Sequence, residues 1–252
     1  MSESISKIKS EFNNLQNGEY EAFIEKHSND ERSGVIQLIN RARKCVDKYE
    51  EELKRTEQML SFERQYSCYS MICGIDEAGR GPLAGPVVAG AVILPKDDKI
   101  LYLNDSKQLS ASKREELYDV IKSRAIASAT GIVGHERIDE INILNATYEA
   151  MRQAIMNLKV LPDILLNDAV VIPDIDIKQV PIVKGDAKSC SIAAASIIAK
   201  VERDRIMEEM DKLYPMYGFS ANKGYGSAAH IEAIKEFGPC PIHRRTFIGN
   251  FI

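Results

Sequence analysis

The chain has no tryptophan and no apolar run near the ~18 residues that a membrane-spanning helix needs. The longest candidates, Pro86–Leu94 and Ile192–Ala199, are far too short, so no membrane association is expected. Its five cysteines (Cys45, Cys68, Cys73, Cys190 and Cys240) contain no Cys-x-x-Cys pair. An odd count without that spacing argues against a zinc site or a disulfide framework, and the thiols suit a reducing cytoplasm. An excess of positive charge is also missing. Lys and Arg number 33 against 37 Asp and Glu, a formal net charge of −4. That disfavours a protein that coats nucleic acid by counterion release. It does not disfavour a nuclease, whose metals bring their own positive charge. Met1–Lys7 is polar, so no signal peptide is expected. There is no internal repeat and no low-complexity linker.

What is present is a chain of 252 residues, 44% of them hydrophobic, enough for one large domain or one and a half. Its texture changes near Ser67–Met71. Residues 1–70 carry 11 Lys and Arg and 13 Asp and Glu, so they form no basic clamp. Ile5, Ile8, Phe12 and Leu15 share a helix face, and Ser28-x-x-Glu31 reads as a capping box. Val35, Ile36, Leu38, Ile39, Ala42, Val46, Tyr49 and Leu53 then keep helical period, which predicts a long helix to about Gln65. This stretch reads as a helical N-terminal extension, and residues 71–252 as the domain that holds the chemistry. There, strand-like segments occur at Met71–Ile75, Val87–Leu94, Ala125–Val133, Ile164–Leu166 and Val180–Val183. Helical patterns lie near Ser110–Arg124, Leu144–Leu158, Asp186–Leu213 and Ser227–Phe237. Three early strands followed by helix-separated ones predict an α/β fold, a mixed sheet flanked by helices.

The densest chemistry is in Gly74-Ile-Asp-Glu-Ala-Gly-Arg-Gly-Pro-Leu-Ala-Gly-Pro86. Adjacent carboxylates, Asp76 and Glu77, end an apolar run, and an arginine sits among glycines and prolines. Five of the chain's fifteen glycines fall between Gly74 and Gly90, more than a simple turn needs. Carboxylates beside a cationic, glycine-lined loop suit a divalent metal facing a phosphate. Two ions ~3.5–4 Å apart need three or four carboxylates that meet in space. Asp168, just past the apolar Ile164–Leu166, is a candidate third acid; Asp163, Asp174 and Asp176 compete but lie beside proline or in polar turns. The fourth is Asp186 or Asp204. Asp186 also fits a helix N-cap, and Asp204 a salt bridge within a helix. All-oxygen ligation points to Mg²⁺ or Mn²⁺.

Asp76 to Pro86 resembles the signature of ribonuclease HII, the type 2 ribonuclease H. The resemblance continues through Asn104-Asp-Ser-Lys-Gln-Leu109, Lys184-Gly-Asp-Ala-Lys-Ser189, Ser191–Asp204, Lys223-Gly-Tyr-Gly226 and His243-Arg-Arg-Thr-Phe247, in family order over residues 71–252. It implies a ribonuclease H-like fold and a monomeric, cytoplasmic endoribonuclease of ribonucleotide excision repair. Such an enzyme cuts RNA–DNA hybrids and duplex DNA at single ribonucleotides, leaving 3′-hydroxyl and 5′-phosphate ends. It gives the metal-site role to Asp76, Glu77, Asp168 and Asp186. Gly79, Arg80 and Gly81 would approach the ribonucleotide through their backbone, and Tyr225 would pack on the next sugar. Lys107, Lys184 and Lys188 are candidate phosphate contacts. Asn167 departs from the apolar residue usual before the third acid. His243-Arg-Arg reads as structural or phosphate-facing, and His135 and His230, on helical surface patterns, receive no role. A chain beginning near Met71 holds every motif block and is expected to keep the chemistry, with weaker substrate binding or lower stability from lost packing. A binding protein of this fold without turnover is disfavoured because all four candidate carboxylates are present, and a metal-dependent phosphatase or another ribonuclease H-like nuclease leaves Gly-Arg-Gly and Lys-Gly-Tyr-Gly unexplained.

Overall fold

The computed structural model describes residues 3–252. They fall into two compact units, one ending at Gln58 and the other running from Met59 to Ile252. The first unit holds helices α1 (Ile5–Asn13), α2 (Tyr20–His27) and all but the last residue of α3 (Ser33–Met59). Ile8, Phe12, Phe23, Val35, Leu38, Ile39 and Ala42 form its small core. The expected capping box does not form. The chain leaves α2 at Ser28, whose hydroxyl donates to the Glu25 carbonyl, so it closes one helix instead of opening the next. The long helix ends at Met59, and a separate short helix α4 (Ser61–Gln65) follows.

The second unit is built on a five-stranded sheet: β1 (Ile72–Ala78), β2 (Val87–Ile93), β3 (Ala127–Val133), β4 (Ile164–Asp168) and β5 (Lys178–Ile182). The strand order is β3-β2-β1-β4-β5, with β1–β2 and β2–β3 antiparallel and β1–β4 and β4–β5 parallel. Helices α5 (Ala111–Arg124), α6 (His135–Met156), α7 (Cys190–Leu213), α8 (Phe219–Asn222), α9 (Ala228–Phe237) and α10 (Arg245–Ile248) complete it. Helix α6 begins nine residues before the predicted Leu144 and is broken at Asn142, which has φ 67°. The Asn142 side chain accepts from the Leu144 and Asn145 N–H groups and so caps the second half, the part whose period was visible.

Strand parity separates the two faces. Cys73, Ile75, Val87, Ala89, Ala91 and Ile93 pack with Ala150, Met151 and Ala154 of α6. The other face receives α7, whose small residues let it lie against the sheet. A Cβ on Gly74 would sit 2.0 Å from the Ser191 backbone, so only glycine fits under this helix. Asp76 follows Gly74 on this α7-facing side, and Glu77 falls on the opposite one.

Candidate active site

The three parallel strands end at one edge of the sheet, the usual ligand edge of such sheets. Asp76 and Glu77 lie in the last three residues of β1, and Asp168 is the last residue of β4. Ile75 pairs with Asn167, so Asp76 and Asp168 occupy the next rung on the same face. Asp168 pairs in turn with Ile182 at the end of β5, and Asp186 follows four residues later. Asp186 lies in a single 3-10 turn, Gly185–Ala187, before α7. It is not the helix cap: that role belongs to Ser189, which accepts from the Ile192 N–H. The turn is tied to β4, because Gly185 N–H donates to an Asp168 carboxylate oxygen at 2.7 Å.

The four acids feel one another. Burial pushes the Asp76 carboxyl well above the ordinary aspartate value, and Glu77 and then Asp168 push it further, while a Ser196 bond opposes them. Burial raises Glu77, against the pull of Arg80, and Asp168 adds to the rise. Burial, Asp168 and Asp105 raise Asp186, with Lys107 opposing. Asp168 is therefore the neighbour that all three others share. Asp105, unassigned in the sequence, also faces the site and accepts from the Lys107 N–H. Among the described residues, the tight triad of metal-type ligand atoms lies elsewhere: Glu3, Glu11 and His27 fall within 4.8 Å of one another. Lys26 and His27 both contact Glu11, and Lys7 pairs with Glu3, so that set reads as an ion-pair cluster. The sheet-edge acids are spread more loosely, with Glu77 turned onto Arg80 at 3.3 Å. Their donor set, oxygen only and rich in negative charge, fits hard divalent cations.

Beside the acids runs a cleft lined by Glu77, Gly79, Arg80, Gly81, Ser106, Lys107, Lys200 and Tyr225. Lys107 loses stability as a cation through burial, but Asp105, Asp76 and Asp186 outweigh this and hold it above the ordinary lysine value. Tyr225 is 44% exposed. Lys184 is exposed in a left-handed conformation, φ 57°, and Lys188 donates to the Val183 carbonyl at 2.9 Å.

Two fully buried arginines, 0% exposed, shape this cleft. Arg203 of α7 donates to the carbonyls of Pro86, Lys223 and Ala84 at 2.9, 2.9 and 3.2 Å. Arg244 donates to Gly85, Arg80 and Gly79 at 2.9, 2.9 and 2.6 Å. The guanidinium forks thus hold the Gly79–Pro86 loop by its carbonyl oxygens. Gly79 has φ 94°, and a Cβ there would lie 2.0 Å from Arg203 Nε, so this position admits only glycine. Arg244 settles one open choice: it is structural and does not face a phosphate.

The competing acids are used elsewhere. Asp204 pairs with Lys200 at 2.6 Å and Arg114 at 3.6 Å, and Arg114 donates to the carbonyls of Ser106 and Leu109. Asp163 accepts from the Ser70 and Met71 N–H groups, and Asp174 meets Arg152. Asn167 is fully buried, and its amide donates to Gln179 and the Val170 carbonyl. His230, expected on a surface, is fully buried, because the chain after α9 folds back over it.

Fold and site together define a metal-dependent nuclease of the ribonuclease H-like class. The model of the Ribonuclease HII family matches residues 73–250, and that of the Ribonuclease HII N-terminal domain matches residues 4–67. A ribonuclease HII from Lachnoclostridium phytofermentans is 57% identical over 99% of this chain and 98% of its own length. One from Clostridioides difficile is 52% identical over 99% and 98%. Among solved structures, the PCNA:RNase HII complex from Archaeoglobus fulgidus contains a similar chain: TM-score 0.62, 32% identity, covering 72% of this chain and 96% of that one. The chain belongs to the ribonuclease HII family.

Proposed function

We propose that this protein hydrolyses RNA in RNA–DNA hybrids and nicks duplex DNA at single embedded ribonucleotides, as a monomer in the cytoplasm and as a step of ribonucleotide excision. The observation that carries this reading is the gathering of Asp76, Glu77, Asp168 and Asp186 at the end of the parallel strands, beside the arginine-held loop. Residues 71–252 supply every side chain in the proposed chemistry. The four acids would hold the divalent ions, Mg²⁺ or Mn²⁺. Bound there, the ions supply Lewis acidity for an attacking water and a leaving 3′ oxygen, giving 3′-hydroxyl and 5′-phosphate ends.

The chain's own groups do the rest. Gly79, Arg80 and Gly81 bring their backbone to the ribonucleotide, the sensible place to read a 2′-hydroxyl. With the Gly79 and Arg80 carbonyls drawn inward by Arg244, the loop is preorganised for this. Tyr225 offers an exposed ring in the same cleft as Gly81 for stacking on the neighbouring sugar. Lys107 is the cation best placed to meet the scissile phosphate; Lys184 and Lys188 lie further along the same edge. Because the acids repel one another and a polyanion alike, metal and substrate binding should be coupled.

The test is a gel assay on a duplex carrying one ribonucleotide. The reading expects a nick on its 5′ side with Mg²⁺ or Mn²⁺, and no cleavage of the all-DNA duplex or in EDTA. Cleavage of all-DNA duplex at a similar rate would refute it.

A further inference from the structure

Behind the Lys223–Gly226 loop lie two histidines that the proposed chemistry does not use. His230 of α9 and His243, which precedes Arg244, are both 0% exposed. Their Nε2 atoms face each other at 3.0 Å. One must donate and the other accept, and the outer nitrogens decide which. His230 Nδ1 lies 2.8 Å from the Tyr225 carbonyl oxygen, which only accepts. His230 therefore carries its proton on Nδ1 and has a bare Nε2. With the His230 Nε2 bare, His243 must donate from Nε2, and its bare Nδ1 accepts from the Cys240 N–H at 3.0 Å, a shorter contact than the 3.3 Å to the Cys240 carbonyl. The two assignments give one chain of donors running from Cys240 N–H through His243 and His230 to the Tyr225 carbonyl.

The surroundings keep both rings neutral. Burial lowers His230, and burial together with His230 brings His243 down to about 4. Arg245 and His135 push His243 the same way, Cys240 Sγ lies 3.0 Å from its Nδ1, and Arg244 is its chain neighbour. Tyr217 packs edge-on against His243 at 4.9 Å and Phe219 against His230 at 5.3 Å, while the Tyr217 hydroxyl donates to the Gly238 carbonyl. A charged His230 would set two N–H groups against each other across the 3.0 Å contact, and a charged His243 would set its Nδ1–H against the Cys240 N–H.

We propose that His230 is a positioning residue for Tyr225, with His243 setting its tautomer: the Nδ1–H that this fixes holds the Tyr225 backbone, and so the angle at which its ring meets the sugar beside the ribonucleotide. This rests on the reading of Tyr225 as the sugar-packing residue. The Ser227 N–H also reaches the Tyr225 carbonyl, at 2.8 Å, and Leu83 N–H holds the Gly224 carbonyl at 2.8 Å, so the loop is braced on both sides. The histidine chain is the part that links it to the C-terminal segment.

The experiment compares His230→Leu, which removes the donor, with His230→Asn, whose amide nitrogen sits where Nδ1 did. Tyr225→Ala runs alongside. Nicking kinetics at a single ribonucleotide and Mn²⁺ affinity by calorimetry are the readouts. The expected result is a fall in kcat/KM of about tenfold or more for His230→Leu, rescue to within about threefold by His230→Asn, and unchanged Mn²⁺ affinity in both. Full activity in His230→Leu beside an impaired Tyr225→Ala overturns the histidine proposal alone. Full activity in Tyr225→Ala overturns the reading beneath it. Equal losses in both His230 variants, with weaker Mn²⁺ binding, mark general damage and also overturn it. If His230→Leu does not fold, nitrogen NMR of the wild-type imidazoles decides. Neutral rings at pH 6, protonated on Nδ1 of His230 and Nε2 of His243, are expected, and any other pair of states overturns it.

Discussion

The Asp168 carboxylate accepts a hydrogen bond from Gly185 N–H at 2.7 Å, and this one contact joins the end of β4 to the turn that carries Asp186. It distinguishes Asp186 from Asp204, the two aspartates that compete for a fourth place in the site. Asp186 stands beside Asp168 and is raised by it, whereas Asp204 is consumed by Lys200 and Arg114. Asp186→Asn should therefore lower nicking by orders of magnitude with little change in melting temperature. Asp204→Asn should mainly lower the melting temperature, because it leaves two half-buried cations short of a partner. Paired melting and nicking assays check this.

Asp76 gives a pH dependence with a definite sign. Its carboxyl is raised in the folded protein, so between its ordinary value of 3.8 and the raised one the native state binds more protons than the unfolded chain. Stability then falls as pH rises through that window, and at neutral pH the metal-free site costs stability. Asp76→Asn should melt higher than wild type in EDTA at neutral pH, with the gap closing as pH falls toward 4. Melting curves across that range check it, and a gap that does not vary with pH would argue against a buried, repelled carboxylate.

Arg244 is expected to matter for the loop and not for the metals. Arg244→Leu removes three bonds to loop carbonyls and leaves the buried Gly79 and Gly85 oxygens without this partner. A loss of roughly 3 kcal/mol or more follows for the region. Substrate affinity should fall with it, while Mn²⁺ affinity stays near wild type. Calorimetry and urea melts read the two effects separately.

Glu63, in α4, changes the expectation for a shortened chain. Its carboxylate accepts from Ser189 Oγ, Ser191 N–H and Ser191 Oγ at 2.6, 2.9 and 2.7 Å, at the first turn of α7. Ser189 N–H in turn donates to the Gly185 carbonyl, next to Asp186. A carboxylate at a helix N-terminus contributes about 1 kcal/mol. Glu63→Ala should thus lower the melting temperature and weaken Mn²⁺ binding. A chain beginning at Met71 should show both losses, and one beginning at Met59, which keeps Glu63, should bind Mn²⁺ as the full chain does.

Much of this was legible in the sequence because it is local. The five strands announce themselves as short apolar runs, and Asp76, Glu77 and Asp168 stand where those runs stop. Asp186 was legible only as one of two choices, since its neighbour Asp168 is 18 residues away in sequence and adjacent in space. What supports the site was not legible. Arg203 sits in a charged helical stretch that looks solvated, and its partners lie 117 residues back, at Pro86, or 20 ahead, at Lys223. His230 follows a helical period that says nothing about what folds over it. Ser28 has the right letters for a capping box, but the helix before it ends there.

The central claim is that the carboxylates at the sheet edge hold the ions that cut beside a ribose. Single-turnover nicking of a duplex with one ribonucleotide, in Mg²⁺, by wild type, Asp76→Asn and Asp168→Asn tests it most directly. The account predicts a nick at the ribonucleotide by wild type and a loss of orders of magnitude in both variants, with each variant still folded. Nicking at the wild-type rate by either folded variant would contradict it.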